Sequence, residues 1–527
     1  MKLRLFMCIW GIFCTSFSFA QVEGWCPDNG DGTFTNPILW GDWPDPDVIR
    51  VGDEFYMVST SMHYVPGSPI LKSKDLVNWE MAGYALERYD EDPRFDMQGG
   101  TLYLNGSWAN SIRYHNGKFY VAFCTPNGWG TEKGHFSVCE AENPSGPWKR
   151  TVFPEYLYDP GLFFDDDGKV YVVHGQHRLY ITELASDVRS VKGKPVEIWN
   201  QGFKDSQTFG NAFGLEGSHM YKINGMYYIT CPAGGTEGWQ VCLRSKHIYG
   251  PYEHKVIVND CSSYPPNGLH QGGMVQLKNG DWWFIIMQDR GPIGRVPHLL
   301  PVKWVDGWPM LGADGRDAIT YRKPSVGKNV KIKVPATSDS FNGRKLGLQW
   351  QWNHNPDNSR WSLSERKGYM RLKASFAKDL KVARNTLTQR VQGPNSTGTV
   401  ELDVSGLKEG NIAGLGIFEF PYAYVAVRHE NGRNEIVMCN DGKTEEVICP
   451  SALGKRIWFR ARTTDKDFTA RFYYSLNGSD FTPIGNELHM GLGLVWTANR
   501  FALFNFSTKD EGVGGIADFD WFKFYLK

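Results

Sequence analysis

The chain of 527 residues has no excess charge of either sign, because 57 lysines and arginines balance 57 aspartates and glutamates. A protein that binds nucleic acid is expected to be basic, so this balance argues against such a partner. Cysteine is scarce as well: eight lie beyond residue 20, and none shows the CxxC spacing of a metal site. A scaffold held together by disulfides is therefore excluded, whereas buried free thiols and one or two local bridges both remain open.

An apolar run long enough to cross a membrane is also missing. The best candidate, Leu5–Phe13, is too short to span a bilayer comfortably. It follows two basic residues and precedes Ser18-Phe19-Ala20, which is the pattern of a secretory signal cleaved after residue 20. We therefore expect an exported protein without a membrane span, periplasmic in the first instance and secreted as the alternative.

Aromatic residues and glycine are, by contrast, abundant, with 20 Trp, 24 Tyr, 31 Phe and 58 Gly. A glycine turn followed by an aromatic strand recurs five times, with the glycines at positions 52, 117, 168, 225 and 280. Four of these turns are Asn-Gly or Asp-Gly, which favour tight hairpins, and a repeat of 51 to 65 residues fits a four-stranded blade. The spacing predicts a five-bladed β-propeller in preference to a sandwich of five unrelated hairpins.

A polar, basic stretch bounded by prolines, residues 323–337, is typical of a linker. Beyond it, short segments such as Thr399–Val404 and Tyr422–Val427 alternate with period two, which predicts a β-sandwich. The sequence shows no long amphipathic helix. The predicted fold class is all-β, with a signal at 1–20, a propeller at 21–322, a linker at 323–337 and a sandwich at 338–527.

Three carboxylates stand at equivalent entries into the predicted blades and could face one central funnel. Asp45 lies between two prolines, Asp159 precedes Pro160-Gly161, and Glu216 precedes a glycine. A single acidic residue in such a position is more often a solvated turn residue. Three of them at matching blade entries favour a shared site.

These segments resemble glycoside hydrolase family 43 over about residues 35–305. The matching motifs are, in chain order, Asn36-Pro37-Ile38-Leu39, Pro44-Asp45-Pro46-Asp47, Ser73-Lys74-Asp75-Leu76-Val77-Asn78-Trp79, Asp159-Pro160, Glu216-Gly217-Ser218-His219 and Ile293-Gly294-Arg295. After residue 337, the chain resembles the concanavalin-like C-terminal domain that is attached to many members. The resemblance implies a five-bladed propeller and an inverting hydrolysis of pentose glycosides.

The resemblance also implies roles for the three carboxylates. Asp45 would be the general base, Glu216 the general acid, and Asp159 the residue that orients the acid and raises its pKa. Inversion requires one carboxylate to activate water and one protonated carboxyl on the opposite face of the sugar. A like charge beside the acid would help it to keep its proton near neutral pH.

Three further residues are expected to bind substrate. Arg295 matches a family arginine that contacts the terminal sugar, and its fixed fork of donors suits vicinal hydroxyls. Trp108 could stack on a sugar ring or belong to the core. His63 lies in a stretch that is usually more aromatic in xylosidase-like members, and Asn110 and Ser218 stand where the family often has proline.

No cofactor is expected to be required for the reaction. His270 matches a histidine near the propeller axis that contacts a hydrated Ca²⁺ or another ion in some members. Such an ion would be structural or electrostatic. A lone histidine is more often a structural residue.

The resemblance predicts an exo-acting enzyme that releases terminal non-reducing α-L-arabinofuranosyl residues from plant hemicellulose, either the polysaccharide or its oligosaccharides. The departures at His63, Asn110 and Ser218 favour this sugar over the β-D-xylosyl residues of xylo-oligosaccharides, which are the alternative. A carbohydrate-binding propeller without catalysis is the second alternative. The sequence leaves the oligomeric state open.

Overall fold

The protein is described by a computed structural model over residues 23–128, 133–200, 214–327, 330–450, 453–492 and 496–526. The predicted signal at 1–20 lies outside the described residues. Within these ranges the chain forms 38 β-strands and no α-helix. It also has five short 3-10 helices, at Pro93–Asp96, Gly235–Glu237, Gly291–Ile293, Leu380–Val382 and Asp510–Gly512. Among the described residues, none of the helices is long and apolar enough to cross a membrane.

After β1 (Thr33–Thr35), five four-stranded antiparallel sheets form the blades of a propeller. Blade 1 contains β2 (Asp47–Val51), β3 (Glu54–Val58), β5 (Gly67–Ser73) and β6 (Trp79–Leu86), while β4 (Tyr64–Val65) joins a different sheet. Blade 2 contains β7 (Trp108–His115), β8 (Lys118–Pro126), β9 (Gly134–Ala141) and β10 (Lys149–Phe153). Blade 3 contains β11 (Gly161–Phe164), β12 (Val170–His174), β13 (Leu179–Leu184) and β14 (Val191–Trp199). Blade 4 contains β15 (His219–Ile223), β16 (Met226–Ala233), β17 (Trp239–Ser245) and β18 (Glu253–Val258). Blade 5 contains β19 (Leu269–Gln276), β20 (Trp282–Asp289), β21 (Arg295–Val305) and β22 (Trp308–Leu311).

The glycine-and-aromatic repeat of the sequence builds these blades. Each of the five repeat glycines lies in the turn between the first two strands of a blade, with φ between 62° and 96°. Because successive side chains of a strand point to opposite faces, the strands that follow can pack against both neighbouring blades. Tyr227 of β16 packs in a cluster with blade 3, and Tyr228 packs in a cluster with blade 5. The prediction of a five-bladed propeller is confirmed, and much of the aromatic excess is core.

The ends of the propeller are joined by packing and by a short ribbon. Phe34 of β1 stacks on Tyr321 of β23 (Thr320–Arg322) with ring centroids 5.9 Å apart, and the two strands pair antiparallel. A hydrophobic cluster fills the space between blades 5 and 1, for example with Val48 of β2 and Ile285 of β20. The ring of blades is thereby closed.

The remaining strands form a β-sandwich, as the period-two segments predict. They are β24 (Gln351–Asn353), β25 (Trp361–Ser362), β26 (Met370–Lys373), β27 (Ser375–Phe376), β28 (Leu387–Arg390), β29 (Asn395–Gly406), β30 (Asn411–Phe418), β31 (Ala423–Glu430), β32 (Arg433–Asn440), β33 (Lys443–Ile448), β34 (Arg456–Thr464), β35 (Thr469–Ser475), β36 (Thr482–His489), β37 (Arg500–Ser507) and β38 (Ile516–Leu526). One sheet has the order β25-β26-β38-β29-β34-β35-β36. The other has the order β33-β32-β31-β30-β37-β28-β24-β4, with β27 beside β37.

The sandwich is attached to the propeller through its own sheet, because β4 belongs to the chain of blade 1. Val65 lies opposite Trp352, and Tyr64 lies opposite Asn353. This edge brings the sandwich next to the blade 1 entry, where Asp45 is located. All eight cysteines of the described residues are free thiols, so of the two possibilities left open by the sequence, the structure has no bridges.

Candidate active site

A pocket at the centre of the propeller receives residues from all five blades. Its lining includes Asp45 from blade 1, Trp108 from blade 2, Asp159 from blade 3, Glu216 from blade 4 and Arg295 from blade 5. The three predicted carboxylates are therefore brought together, and the predicted arginine and tryptophan lie with them. His270, Asp289 and Trp496 also line it.

One residue at the entry of every blade has a left-handed backbone conformation, and this turn of the chain directs the carboxylates toward the funnel. These residues are Asp45, Ala109, Asp159, Gly217 and Gln271, with φ between 40° and 52°. Such a conformation is uncommon for residues other than glycine and interrupts the regular alternation of a strand. Backbone strain of this kind persists where the surrounding structure fixes it, often at functional sites. Two of the five positions carry aspartates of the site, and Glu216 precedes a third.

Asp45 is paired with Arg295. The guanidinium Nη1 donates to Asp45 Oδ1 at 2.8 Å, and both side chains are less than a tenth exposed. The backbone of Arg295 is itself held, because its N–H donates to Asp42 Oδ1 at 3.1 Å. Nε and Nη2 of Arg295 have no hydrogen-bond partner among the described residues. A buried donor without a partner is costly, so these two atoms are suited to sugar hydroxyls.

Glu216 has uncharged hydrogen-bond partners instead. The amide of Gln176 and the hydroxyl of Tyr158 both donate to Glu216 Oε2, the latter at 3.4 Å. Burial raises the pKa of Glu216 to about 7; the charge of Asp45 adds to this rise and the two hydrogen bonds oppose it. At this pKa the side chain holds a proton up to about neutral pH, which is what a general acid requires.

Asp159 lies deeper than Glu216. Its backbone N–H donates to Cys124 Sγ at 3.4 Å, and its side chain is 6% exposed. Burial raises the pKa of Asp159 well above its usual range, and the charges of Glu216 and Asp45 raise it further. Asp159 and Glu216 therefore titrate as a pair. Burial is the largest cause of the raised pKa of both groups, and a contribution from the charge of Asp159 to the pKa of Glu216 stays a prediction.

Aromatic side chains form one wall of the pocket. Trp108 is 8% exposed, and its ring lies 6.5 Å from Tyr158 and 6.3 Å from Trp496 between centroids. Trp108, Tyr158 and Met62 belong to one buried cluster, against which the partly buried Trp496 packs. Trp108 is thus both a packed residue and a lining residue, and its stacking on a sugar ring stays a prediction. Trp496 belongs to the sandwich, which therefore contributes to the pocket.

His63 does not lie among the lining residues. Its ring is 1% exposed and packs against Tyr64, Tyr103 and His354, with centroid distances of 4.3, 4.8 and 4.9 Å. The side chain that lines the pocket at this point is that of the preceding residue, Met62. The prediction that His63 binds substrate therefore has no support in the geometry.

The two positions where proline was expected are also outside the lining. Asn110 is fully buried and accepts a hydrogen bond from Ser68 Oγ at 2.6 Å. Ser218 is 1% exposed. The three departures used to choose between sugars therefore do not contact the pocket directly.

His270 lies at the pocket, and an oxygen atom lies close to each of its ring nitrogens. Nδ1 is 3.1 Å from the carbonyl oxygen of Gly268, and Nε2 is 3.3 Å from Asp289 Oδ2. The described residues contain no group of three or more His, Cys, Asp or Glu side chains that could hold a metal ion. A structural Ca²⁺ held through water stays a prediction.

Sequence reasoning missed Gln176, Asp289 and Trp496. Gln176 follows β12, and Trp496 precedes β37, about 200 residues beyond the last funnel motif, Ile293-Gly294-Arg295. Their own sequence neighbourhoods carry no signal for the site. Tyr158 and Asp289 could have been found, since they adjoin Asp159 and the Gly291–Arg295 segment of the resemblance.

A wider groove of about 780 Å³ lies between the β2–β3 turn, the β19–β20 turn and residues 325–327 and 330–333. Its lining contains exposed lysines and acids that pair with one another, such as Lys333 with Glu80 at 2.6 Å. Buried carboxyls of raised pKa occur in the funnel instead, which is therefore the candidate active site.

Comparison with known families and proteins agrees with this geometry. The profile of the family described as "Glycosyl hydrolases family 43" matches residues 34–309. A second profile, "Beta xylosidase C-terminal Concanavalin A-like domain", matches residues 338–525. The two matches cover the propeller and the sandwich in turn.

Individual proteins are similar over most of the chain. A putative beta-xylosidase of Xylanibacter ruminicola is 35% identical over 505 residues, covering 92% of this chain and 88% of the relative. A non-reducing end alpha-L-arabinofuranosidase of Bacteroides ovatus is 35% identical over 387 residues, covering 71% and 69%. The solved structure of a bifunctional GH43-CE protein of Bacteroides eggerthii has a TM-score of 0.85 and 39% identity. The likeness covers 94% of this chain but 64% of that longer one.

Proposed function

Because the chain belongs to glycosyl hydrolase family 43, we propose that it is an exo-acting, inverting hydrolase of terminal non-reducing pentosyl residues in plant hemicellulose. α-L-Arabinofuranosyl groups are the proposed substrate, on side chains or oligosaccharides. The observation that carries the proposal is the convergence of Asp45, Asp159 and Glu216 with Arg295 in one buried pocket.

In the proposed reaction, Asp45 is the general base. Its carboxylate takes a proton from a water molecule, and the water oxygen attacks the anomeric carbon from the face opposite the leaving group. Arg295 Nη1 holds one carboxylate oxygen of Asp45 in place. Its unpartnered Nε and Nη2 would bind hydroxyls of the terminal sugar.

Glu216 is the proposed general acid. As the glycosidic bond breaks, it gives its proton to the departing oxygen, so the aglycone leaves as an alcohol. Tyr158 and Gln176 orient the carboxyl through Oε2, which leaves Oε1 available to carry the proton. Asp159 is proposed to disfavour ionisation of Glu216 through its negative charge, so that the proton stays on the Asp159–Glu216 pair.

The aromatic wall supports an exo mode of action. Trp496 reaches from the sandwich against Trp108, so the pocket is bounded by both domains on this side. A bounded pocket accommodates the end of a chain better than its middle. An indole face such as that of Trp108 also offers an apolar surface for a sugar ring.

β-D-Xylosyl groups are the second candidate substrate. The relatives of Xylanibacter ruminicola and Formosa agariphila, which cover 92% and 96% of this chain, are both named as beta-xylosidases. The residues that favoured arabinose, His63, Asn110 and Ser218, lie outside the lining set. The two sugars present similar hydroxyl geometry, so turnover must decide between them.

The test is hydrolysis of 4-nitrophenyl α-L-arabinofuranoside and, separately, of 4-nitrophenyl β-D-xyloside by the mature protein. Arabinoside turnover, reduced by a factor of 10³ or more in Asp45→Asn, is the expected result. A larger kcat/KM for the xyloside would promote the second candidate. If the protein hydrolyses neither substrate but binds hemicellulose oligosaccharides, its function is carbohydrate binding and not hydrolysis. Export to the periplasm stays a prediction, tested by fractionating the native host.

A further inference from the structure

The sandwich contacts the segment that carries Asp45 at several points. Gly41 bridges to Gln392, and the N–H of Gly393 donates to the carbonyl of Trp40 at 3.1 Å. A Cβ at Gly393 would lie 2.0 Å from the Trp40 indole nitrogen, so the indole ring packs directly against the backbone of Gly393. Residues 390–393, which begin with the last residue of β28, therefore run beside residues 40–43, just ahead of the proposed base.

Arg390 makes the contact nearest to the active site. Its Nε donates to the carbonyl oxygen of Asp42 at 2.6 Å, and its guanidinium lies 3.8 Å above the centre of the Trp43 ring. Arg390 is 7% exposed and Trp43 is 6% exposed. A buried cation needs such partners, because desolvation is costly. The guanidinium thus fixes two consecutive residues, two positions before Asp45.

The other end of this segment contacts Arg295. Asp42 Oδ1 accepts from the backbone N–H of Arg295, and the N–H of Trp43 donates to the carbonyl of Arg295 at 3.0 Å. Gly294, at φ 103°, permits the approach, since a Cβ there would lie 2.4 Å from Asp42 Oδ1. A continuous set of contacts therefore leads from Arg390 through Asp42 and Trp43 to the Asp45–Arg295 pair.

We propose that Arg390 of the sandwich is a positioning residue for hydrolysis, which places Asp45 and Arg295 by holding Asp42 and Trp43. The sandwich then contributes to catalysis in two ways: Trp496 forms part of the pocket wall, and Arg390 positions the Asp45–Arg295 pair. This inference rests on the proposed roles of Asp45 and Arg295. A misplacement of about 1 Å in a reacting group can cost about 100-fold in rate.

Arg500 provides a matched control, because it is opposite Arg390 in the neighbouring strand. It is 2% exposed and stacks on an aromatic ring of the propeller, that of Tyr64, at 3.9 Å. Its hydrogen bond, however, goes to Gln351 Oε1 within the sandwich, at 2.6 Å. Arg390→Met and Arg500→Met therefore both remove a buried, stacked cation at the domain interface, but only the first releases Asp42.

The experiment measures kcat and KM at 25 °C, the melting temperature, and hydrogen–deuterium exchange of peptides covering 40–47 and 290–296. For Arg390→Met we expect kcat/KM to fall about 10- to 100-fold, with faster exchange in both peptides. Arg500→Met should keep kcat/KM within about threefold and leave these peptides unchanged, whatever its melting temperature. Arg390→Lys keeps the cation but not the flat, forked guanidinium. Compared with Arg390→Met, it should recover more of the melting temperature than of kcat/KM.

A double variant tests the route of the effect. If Arg390 acts through Trp43, Arg390→Met should cost much less in a Trp43→Leu background than in the wild type. Unchanged exchange at 40–47 in Arg390→Met and Arg390→Lys, or equal rate losses in the Arg390 and Arg500 variants, would overturn the inference. Absence of turnover in the wild type would refute the proposed function instead, while the exchange comparison would still decide whether Arg390 holds this segment.

Discussion

The two sides of the pocket hold their carboxyl groups in opposite ways. On the Asp45 side, a buried guanidinium donates directly to the carboxylate. On the Glu216 side, the partners are a neutral amide and a phenol, and the pKa of Glu216 rises to about 7 because of burial. A cationic partner suits a group that must be ionised to act, and neutral partners suit one that must keep a proton. The difference in partners supports the proposed roles of Asp45 as base and Glu216 as acid on grounds independent of the sequence motifs.

The largest test of this comparison uses the leaving group. Glu216→Ala should lose about 10²–10⁴ in kcat on xylo- or arabino-oligosaccharides, because their alkoxide leaving groups need a proton. The same variant should lose far less on 4-nitrophenyl glycosides, whose leaving group is stable as an anion. Asp45→Asn, which affects the attacking water, should lose activity on both substrates alike. Equal losses of Glu216→Ala on both substrates would contradict its assignment as the acid.

The second test is the pH dependence of kcat/KM. A general acid with a pKa of about 7 is protonated below that pH and ionised above it, so kcat/KM should fall as the pH rises through about 7. The hydrogen bond from Gln176 lowers the pKa of Glu216, so Gln176→Leu should move this basic limb to higher pH. Gln276→Leu, an exposed glutamine on β19, is the control and should leave the limb where it is. A basic limb that stays in place in Gln176→Leu would show that another group titrates there.

The sequence was sufficient for those parts of the molecule that local chemistry determines. Asn-Gly and Asp-Gly turns require positive φ, so Gly117 and Gly168 marked blades without any knowledge of packing. Asp45 and Asp159 were recognisable because proline and glycine fix the backbone around them. Residues that reach the pocket through tertiary contacts, such as Trp496 and Gln176, had no such local signal.

His63 shows the opposite error. Its place in a stretch that is usually more aromatic in xylosidase-like members suggested a contact with the sugar. The chain turns here, however, because Met62 has a left-handed backbone with φ 51°. Met62 faces the pocket, and His63 packs between Tyr103 and His354 at the domain interface. A motif therefore locates a stretch of backbone more reliably than it identifies which of its side chains touches the substrate.

The smallest expected effect concerns protein stability. It tests whether burial raises the pKa of Glu216 without depending on a measurement of activity. The pKa of Glu216 rises from its ordinary value of 4.5 to about 7 in the folded protein, so the folded state binds a proton more tightly than the unfolded chain. Stability contributed at this site is therefore present at low pH and lost as the pH rises from about 4.5 to 7. Glu216→Gln cannot ionise, and at pH 8 it should be more stable than the wild type by about 3 kcal/mol.

In a chain of this length, that gain corresponds to a rise of about 3 °C in the melting temperature. At pH 4 the two proteins should melt together, because the wild-type carboxyl is then protonated as well. Glu237→Gln, on an exposed 3-10 helix close to the pocket, is the control and should show no such pH dependence. If Glu216→Gln were instead destabilised at pH 8, the carboxylate would be stabilised by the pocket. The contrast between the Asp45 and Glu216 sides would then lose its physical basis, even if Glu216→Ala proved inactive.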